Sequence, residues 1–294
     1  MPQLETNGIR VEYDTFGDEG ARPLLLVMGL GAQMIAWDEQ FCGLLADAGH
    51  FVIRFDNRDV GLSTKLHDAP VPAMEALVGA LMAGETPDVP YTLDHMADDA
   101  VGVLDALGIE AAHVAGASLG GMIVQTMGIR HGQRLKSITS IMSTTGSRDV
   151  PPATPEAMGA LTSPTPAELE AYIDRALRVG EVIGSPGFER DLERARRRAE
   201  LAYHRSVYPE GSARQMAAVI AHGDRSEALR DVHVPTLVIH GDADPLVHPD
   251  GGRHTAEVMP RAELMMIEGM GHDLPLGAWE RIVEAMSRHT EAHH

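Results

Sequence analysis

The chain has 294 residues, of which 44% are hydrophobic, and its 43 acidic and 24 basic side chains give a formal net charge of -19. This composition is typical of a folded globular protein, and the negative charge argues against nucleic acid or an anionic membrane as a partner. No apolar run is as long as a membrane span and the first residues lack the pattern of a signal peptide, so we expect a cytoplasmic protein. The single cysteine, Cys42, excludes an internal disulfide and is expected to be a small core residue, and no His or Cys spacing indicates a metal site.

Predicted strands and helices alternate along most of the chain. A period-two pattern at 8–14 predicts an exposed antiparallel strand, whereas continuous apolar runs predict strands that are covered on both faces. Thr92 is a suitable N-cap for a helix that ends before Gly108. The buried strands are predicted at 23–28, 50–56, 111–115, 135–142, 235–240 and 262–267, and the other helices at 37–48, 121–127 and 276–289. The alternation predicts a mainly parallel sheet with helices on both faces.

Residues 144–231 interrupt this alternation. They contain five prolines between positions 151 and 166, then helical patterns at 167–179 and 188–204, and no pattern of a buried strand. We expect a helical insertion between two strands of the sheet, the natural place for a lid. The parts before and after it, 1–143 and 232–294, then form the core of the protein.

The insertion contains a strongly charged run at 189–198, with five arginines and three acidic residues. The arginines could suggest an anion site. Acidic and basic side chains that lie four residues apart on a helix pair with each other, and this spacing favours a solvated helix face instead.

Gly116-Ala117-Ser118-Leu119-Gly120 is the most informative motif. It follows the predicted strand at 111–115 and precedes a helical pattern, which is the context of a nucleophile elbow. The flanking glycines remove the Cβ atoms that would collide with the neighbouring strand and helix, so the Ser118 hydroxyl projects into open space. The first N–H groups of the helix point to the same place. Ser118 is the predicted nucleophile, although an ordinary turn and helix cap can carry the same five residues.

A serine nucleophile needs an imidazole base and a carboxylate that orients the imidazole. His272 follows the last predicted strand in a Gly-rich loop, and this position favours it over the other histidines in loops. Asp242 and Asp244 both follow the preceding strand. Asp242 also fits a turn residue that binds backbone N–H groups, and we select Asp244 as the acid. The chain order Ser118, Asp244, His272 is the order expected on such a sheet.

Two backbone N–H groups are expected to stabilise the oxyanion. One belongs to Leu119, directly after the nucleophile. The other belongs to the glycine-containing loop after the strand at 23–28, where Leu30 is the first choice and Gly29 the second. An apolar pocket is expected around these loops, although core packing alone explains a part of its methionines. The predicted substrate-binding residues are Met28, Gly29, Met122, Met158, Leu161 and Met216.

Taken together, these motifs resemble those of α/β-hydrolase-fold serine esterases. The resemblance covers nearly the whole chain and is carried by residues 25–31, 54–63, 116–120, 241–245 and 269–272. It implies an eight-stranded, mainly parallel sheet with helices on both faces and a helical lid insertion. Within the family, the Val-Met-Gly opening and the Gly-Met-Gly-His ending are similar to bacterial esterases that act on polyketide antibiotics, such as anthracycline methylesterases and macrolide esterases.

The chain departs from the family pattern at two places. The usual His-Gly before the oxyanion loop is Met28-Gly29, which keeps the backbone donor. The usual Asp-x-Arg-Gly is Asp56-Asn57-Arg58-Asp59, which changes a turn near the pocket. Serine at position 118 also excludes haloalkane dehalogenases and epoxide hydrolases, the relatives of this fold that attack with an aspartate.

We therefore expect a serine hydrolase that cleaves a carboxylic ester or macrolactone of a bulky apolar small molecule through an acyl-enzyme on Ser118. Neither a metal nor an organic cofactor is expected. A cofactor-free haloperoxidase or perhydrolase and a C–C bond hydrolase use the same triad and are alternatives, as is a ligand-binding protein without turnover. The expected partner is the substrate, with neither nucleic acid nor membrane, and both a monomer and a homodimer fit the sequence.

Overall fold

A computed structural model describes residues 2–294 and contains one sheet of eight strands. The strands are β1 (Gln3–Thr6), β2 (Ile9–Phe16), β3 (Arg22–Val27), β4 (His50–Phe55), β5 (Ala112–Ala117), β6 (Leu135–Ile141), β7 (Thr236–Gly241) and β8 (Ala262–Ile267). Their order in the sheet is β1-β2-β4-β3-β5-β6-β7-β8. The pairs β1–β2 and β2–β4 are antiparallel and all the others are parallel, which confirms the predicted mainly parallel sheet.

Eleven α-helices occur in residues 2–294. They are α1 (Glu39–Asp47), α2 (Met74–Met82), α3 (Leu93–Ala106), α4 (Leu119–His131), α5 (Pro155–Leu161), α6 (Leu169–Ile183), α7 (Leu192–Arg205), α8 (Pro209–His222), α9 (Ser226–Leu229), α10 (Pro249–Val258) and α11 (Trp279–Glu291). Over that range, none of the helices combines the length and the apolar character that a membrane span needs.

Hydrophobic side chains on the two faces of the sheet form separate cores. Leu25 and Val27 of β3 belong to one core together with α3 and α4. Leu24 and Leu26 belong to the other, together with α1 and α11. Because side chains alternate along a strand, β3 is covered on both faces, as its continuous apolar run predicts. Cys42 of α1 is fully buried in the second core, as predicted.

The predicted buried strands all coincide with strands of the structure to within two residues. Thr92 caps α3 by accepting the Asp94 N–H, and Gly108 follows the helix with a φ of 69°. The prediction for 262–267 is wrong in one respect. This segment is β8, which pairs only with β7 at the edge of the sheet, and Leu264 is 40% exposed.

Several elements have no counterpart among the sequence predictions. The strand β1 pairs with β2 across the two-residue turn Asn7-Gly8, in which both residues have a positive φ. An Asn-Gly pair is the strongest local signal of such a hairpin and could have revealed it.

Helices α5, α8 and α10 each begin with a proline. Proline is favoured at the first helical position, so each of these prolines, including Pro155 of the cluster at 151–166, marks the start of a helix.

The helices α5 to α9 all lie between β6 and β7, and the chain between these two strands forms no strand. Residues 144–231 are called the insertion below. The helical patterns at 167–179 and 188–204 correspond to α6 and α7. The carboxyl ends of β3, β5, β7 and β8 face this part of the molecule, so residues in the loops after these strands can meet there.

Candidate active site

Ser118 lies in the turn between β5 and α4 with a left-handed φ of 56°. The turn leaves no room for side chains beside it. A Cβ at Gly116 would lie 2.0 Å from the carbonyl oxygen of Gly120, and a Cβ at Gly120 would lie 2.0 Å from that of Val27. Only glycine fits at these two positions, as the elbow motif requires.

Three of the predicted side chains meet at the carboxyl edge of the sheet. His272 Nε2 lies 2.9 Å from Ser118 Oγ, and His272 Nδ1 lies 2.7 Å from Asp244 Oδ2. Because a carboxylate only accepts hydrogen bonds, Nδ1–H donates to Asp244 and Nε2 is left to accept the Ser118 hydroxyl. In this tautomer the imidazole can take up the hydroxyl proton.

Asp244 is a buried carboxylate with several donors around it. Its Oδ1 accepts the N–H groups of Leu246 and Val247, both at 2.9 Å. His240 Nε2 lies 2.9 Å from the Val247 carbonyl oxygen and 3.4 Å from Asp244 Oδ2. Burial raises the pKa of Asp244, but the charge of His272 and the hydrogen bonds of both histidines outweigh it and hold the pKa below its usual range. Asp244 is therefore ionised and can orient His272.

Asp242, the other carboxylate considered for the acid, forms a hydrogen bond within the loops after β7 and β8. Asp242 Oδ1 accepts the N–H of Gly269 at 2.7 Å, which is the turn role that competed with an acid role in the sequence.

His240 is absent from the predicted site residues, although it lies beside Asp244 in the structure. It is fully buried at the end of β7, and a histidine that ends an apolar strand just before the acid loop is the signal that could have revealed it.

The two predicted oxyanion donors lie close to Ser118. Leu119 is the first residue of α4, so its N–H has no acceptor within the helix. Leu30 follows Gly29, which packs so closely that a Cβ there would lie 3.2 Å from the Ser118 Cβ. Within the described chain, neither amide donates a hydrogen bond to another protein group. Both are available to a ligand.

The loop that carries Leu30 is held by both parts of the molecule. The Gly31 N–H donates to Gln215 Oε1 of α8 at 2.8 Å, and Gln215 Nε2 donates to the Arg58 carbonyl at 2.9 Å. Asn57 Nδ2 donates to the Met28 carbonyl, also at 2.9 Å. These bonds fix the loop before a substrate arrives, which is the condition for effective oxyanion stabilisation.

The loop that carries His272 is hydrogen-bonded to the end of α6. The His272 N–H donates to the Ile183 carbonyl at 2.7 Å, and the Gly271 N–H donates to Ser185 Oγ at 2.9 Å. The Ser185 hydroxyl donates in turn to Asp273, whose pKa is raised by burial. The insertion thus helps to set the position of the predicted base, a role that the sequence patterns do not show.

Comparison with known proteins gives matches over nearly the whole chain. The family model of the alpha/beta hydrolase fold matches residues 22–277. The chain is 32% identical to rhodomycin D methylesterase DnrP of Streptomyces peucetius, over 94% of this chain and 93% of that protein. The chain belongs to the α/β-hydrolase family. It is also 26% identical to the non-heme chloroperoxidase CPO-A1 of Kitasatospora aureofaciens, over 94% of each protein.

A solved structure agrees with this α/β-hydrolase assignment. The meta-cleavage product hydrolase CumD from Pseudomonas fluorescens IP01 superposes with a TM-score of 0.78 at 20% identity, over 100% of this chain and 98% of that chain. The predicted fold and the predicted resemblance to anthracycline methylesterases are confirmed. At the level of enzyme class, the predicted carboxylic ester hydrolase is confirmed as well.

The structure explains one departure from the α/β-hydrolase pattern. Asp59, which replaces the usual glycine, has a left-handed φ of 68°. Its carboxylate accepts two hydrogen bonds from Arg214 of α8, at 2.8 and 3.0 Å, and one from the Leu66 N–H at 2.8 Å. Both side chains of this ion pair are buried. The aspartate therefore anchors the insertion to the core at a position where glycine could not.

A cavity of about 210 Å³ lies between the insertion and the core. Its wall includes Gly31, four of the five residues at 32–36, and parts of α6, α7 and α8. None of the predicted substrate-binding residues lines this cavity. Met28 and Gly29 are buried, Met122, Leu161 and Met216 are half-buried, and Met158 is 41% exposed on α5. Their contact with substrate stays a prediction.

Proposed function

We propose that the protein hydrolyses carboxylic esters through an acyl-enzyme on Ser118. The observation that carries this proposal is the unbroken hydrogen-bonded chain from Ser118 through His272 to Asp244, with lengths of 2.9 and 2.7 Å. It joins a nucleophile, a base and an orienting carboxylate in the order that acyl transfer by serine requires.

In the first half of the reaction, Ser118 Oγ attacks the ester carbonyl while His272 Nε2 takes the hydroxyl proton. Asp244 stabilises the imidazolium through Nδ1–H. The tetrahedral intermediate then expels the alcohol, which receives the proton from Nε2, and Ser118 is left acylated. In the second half, water gives its proton to Nε2, attacks the acyl group and releases the acid as Ser118 regains its proton.

The negative charge of each tetrahedral intermediate falls on the former carbonyl oxygen. We assign its stabilisation to the N–H groups of Leu30 and Leu119, which flank Ser118 and have no other acceptor in residues 2–294. A donor of this kind contributes roughly 3 kcal/mol to transition-state stabilisation. The bonds that fix the Leu30 loop reduce the reorganisation needed when this charge develops.

The substrate that we propose is a methyl ester or lactone of a polyketide acid with an apolar body. Support comes from the 32% identity to rhodomycin D methylesterase over nearly the full length of both proteins. A mass-spectrometric screen of polyketide methyl esters and macrolactones distinguishes the two bonds. A methylesterase releases methanol, whereas a lactonase adds one water without loss of an alcohol.

A cofactor-free perhydrolase is the second candidate, favoured by the similarity to a non-heme chloroperoxidase. In that reaction hydrogen peroxide replaces water as the group that attacks the acyl-enzyme, and a peracid leaves. Bromination of monochlorodimedone in the presence of acetate, peroxide and bromide detects this activity directly.

The central test is Ser118→Ala on p-nitrophenyl esters. We expect kcat/KM to fall at least about 1,000-fold, because the nucleophile is lost while the oxyanion donors stay in place. Mass spectrometry of the native enzyme, quenched during turnover, should show an acyl group on the peptide that contains Ser118. Full activity of a correctly folded Ser118→Ala enzyme would exclude the proposed mechanism.

A further inference from the structure

The charged run of α7 contains one arginine without a partner. Arg198 forms no ion pair and no hydrogen bond with any residue from 2 to 294. The other arginines of the helix are paired, Arg194 with Asp38 at 2.6 Å, Arg196 with Glu170 at 2.6 Å, Arg197 with Glu193 at 3.8 Å and Arg205 with Asp56 at 3.0 Å. The predicted face of paired charges therefore describes Arg197, whereas Arg198 is exposed but unpaired.

Arg198 faces the cavity between the insertion and the core. Its surface is exposed, yet burial among protein atoms lowers its pKa. The opposite charges that act on it belong to Asp38 and Asp273, and these carboxylates are engaged by Arg194 and Ser185.

The rest of the cavity wall carries no free charge. Asp59 also lines it, but its carboxylate is bonded twice to Arg214. The remaining wall combines small or apolar side chains, such as Ala199 and Ile35, with uncharged polar side chains, such as Gln33, Thr165 and Tyr172. In a recess of this mixed polarity, one unpaired charged group can orient a ligand through a single ionic contact.

We propose that Arg198 binds a carboxylate of the substrate, so that the enzyme acts on esters of acids that carry a second carboxyl group. This inference rests on the proposed function, because it assigns a part of the substrate of the same site. The Arg198 guanidinium has no protein group bonded to it, and its planar fork matches a carboxylate with two parallel hydrogen bonds. One arginine balances one carboxylate, whereas a dianionic phosphate would leave a negative charge uncompensated.

The cavity lies at the end of the loop that packs on Ser118, although Ser118, Asp244 and His272 do not line it. Gly29 packs on Ser118, and Gly31, two residues later, lines the cavity. Arg198 is also within electrostatic range of Asp273, the residue after His272. The volume of about 210 Å³ is below that of sites for drug-sized ligands, which begin at about 300 Å³. The recess therefore fits a short acidic arm of a substrate and not its whole body.

The kinetic test compares p-nitrophenyl hydrogen glutarate with p-nitrophenyl pentanoate, which have acyl chains of five carbons and differ in the terminal carboxylate. We expect the native enzyme to favour the glutarate ester about 10- to 100-fold in kcat/KM, the range of a charge-assisted bidentate contact. Arg198→Gln should remove this preference and change kcat/KM for the pentanoate by no more than about twofold. Arg198→Lys should restore part of the preference.

Arg197→Gln is the matched control, because it removes the same charge from the adjacent, exposed position of α7. It should leave the preference unchanged. The proposal is overturned if the native enzyme shows no preference, if Arg198→Gln retains it, or if Arg198→Gln loses the same factor on both esters. The last result is what a merely structural role of Arg198 would give.

A binding experiment separates this site from the proposed reaction. Calorimetry with free glutarate is performed on Ser118→Ala and on the double variant Ser118→Ala/Arg198→Gln. We expect at least tenfold weaker binding by the double variant, whether or not Ser118 forms an acyl-enzyme. Equal binding by the two proteins would overturn the carboxylate site and leave the hydrolase mechanism untouched.

Discussion

The carboxyl edge of the sheet and the interface between insertion and core are built in different ways. At the edge, tight backbone turns place Ser118, Asp244 and His272, and each turn has its own glycine or proline signal. At the interface, long side chains join distant parts of the chain, as in the pair of Arg214 and Asp59, which are 155 positions apart. The reaction is thus encoded in local motifs, while the shape around the substrate depends on long-range pairs.

The largest effect is expected at the edge, from Asp244→Asn. The amide keeps the shape of the side chain but can donate to Nδ1, so His272 is held in the wrong tautomer. We expect kcat/KM on p-nitrophenyl esters to fall about 1,000- to 10,000-fold. Asp242→Asn is the control, two residues away in a turn role, and should stay within a few-fold of the native enzyme. Similar losses in both variants would contradict the different roles of the two carboxylates.

The next effect belongs to the interface. Arg214→Met leaves the buried Asp59 carboxylate without its partner, and we expect the free energy of unfolding to fall by about 3–5 kcal/mol. Adding Asp59→Gly removes that charge and restores the usual glycine at a left-handed position. The double variant should therefore recover most of the loss in urea denaturation. A double variant as unstable as Arg214→Met would show that the anchor is not this ion pair.

The same ion pair gives the effect of Arg214→Met a pH dependence. Burial raises the pKa of Asp59, but its hydrogen bonds with Arg214 and Leu66 outweigh this and bring the pKa below its ordinary value of 3.8. A carboxyl whose pKa falls on folding stabilises the folded state above 3.8 and loses this contribution as the pH falls through the folded-state value. In Arg214→Met the lowering contribution of Arg214 is lost while burial still raises the pKa of Asp59, so this carboxyl takes up a proton at a higher pH than in the native protein. The difference in stability between the two proteins should therefore shrink as the pH falls from neutral through the pKa of Asp59 in the variant.

The site at the carboxyl ends of the strands could be predicted from sequence because the constraints on it act over a few residues. Gly116 and Gly120 are required by contacts with backbone on either side of the elbow, so they mark Ser118 within a five-residue motif. The choice of Asp244 over Asp242 also rests on the loop alone; in the structure Asp244 lies 2.7 Å from His272 Nδ1, and Asp242 accepts the Gly269 N–H. Strand positions followed from apolar runs for the same reason.

The interface could not be predicted because its partners are distant in sequence. Asp59 looked like a change in a turn, and only the structure shows the arginine that it binds in α8. The run at 189–198 has the spacing of a solvated helix, and pattern alone cannot tell that Arg198 faces a cavity while Arg197 faces solvent. The place of His240 at the end of an apolar strand is a signal, but only the structure shows that its ring lies beside Asp244.

The smallest effect is expected where the two regions meet, at Ser185. Its hydroxyl accepts from the Gly271 N–H and donates to Asp273, so Ser185→Ala removes two contacts that join the insertion to the His272 loop. We expect a loss of about 1 kcal/mol in unfolding free energy and a fall of about 3- to 10-fold in kcat, with KM little changed. Ser163→Ala is the control, since Ser163 bonds only within the insertion. An unchanged kcat in Ser185→Ala would mean that the core alone positions His272. The catalytic residues would then not depend on the insertion.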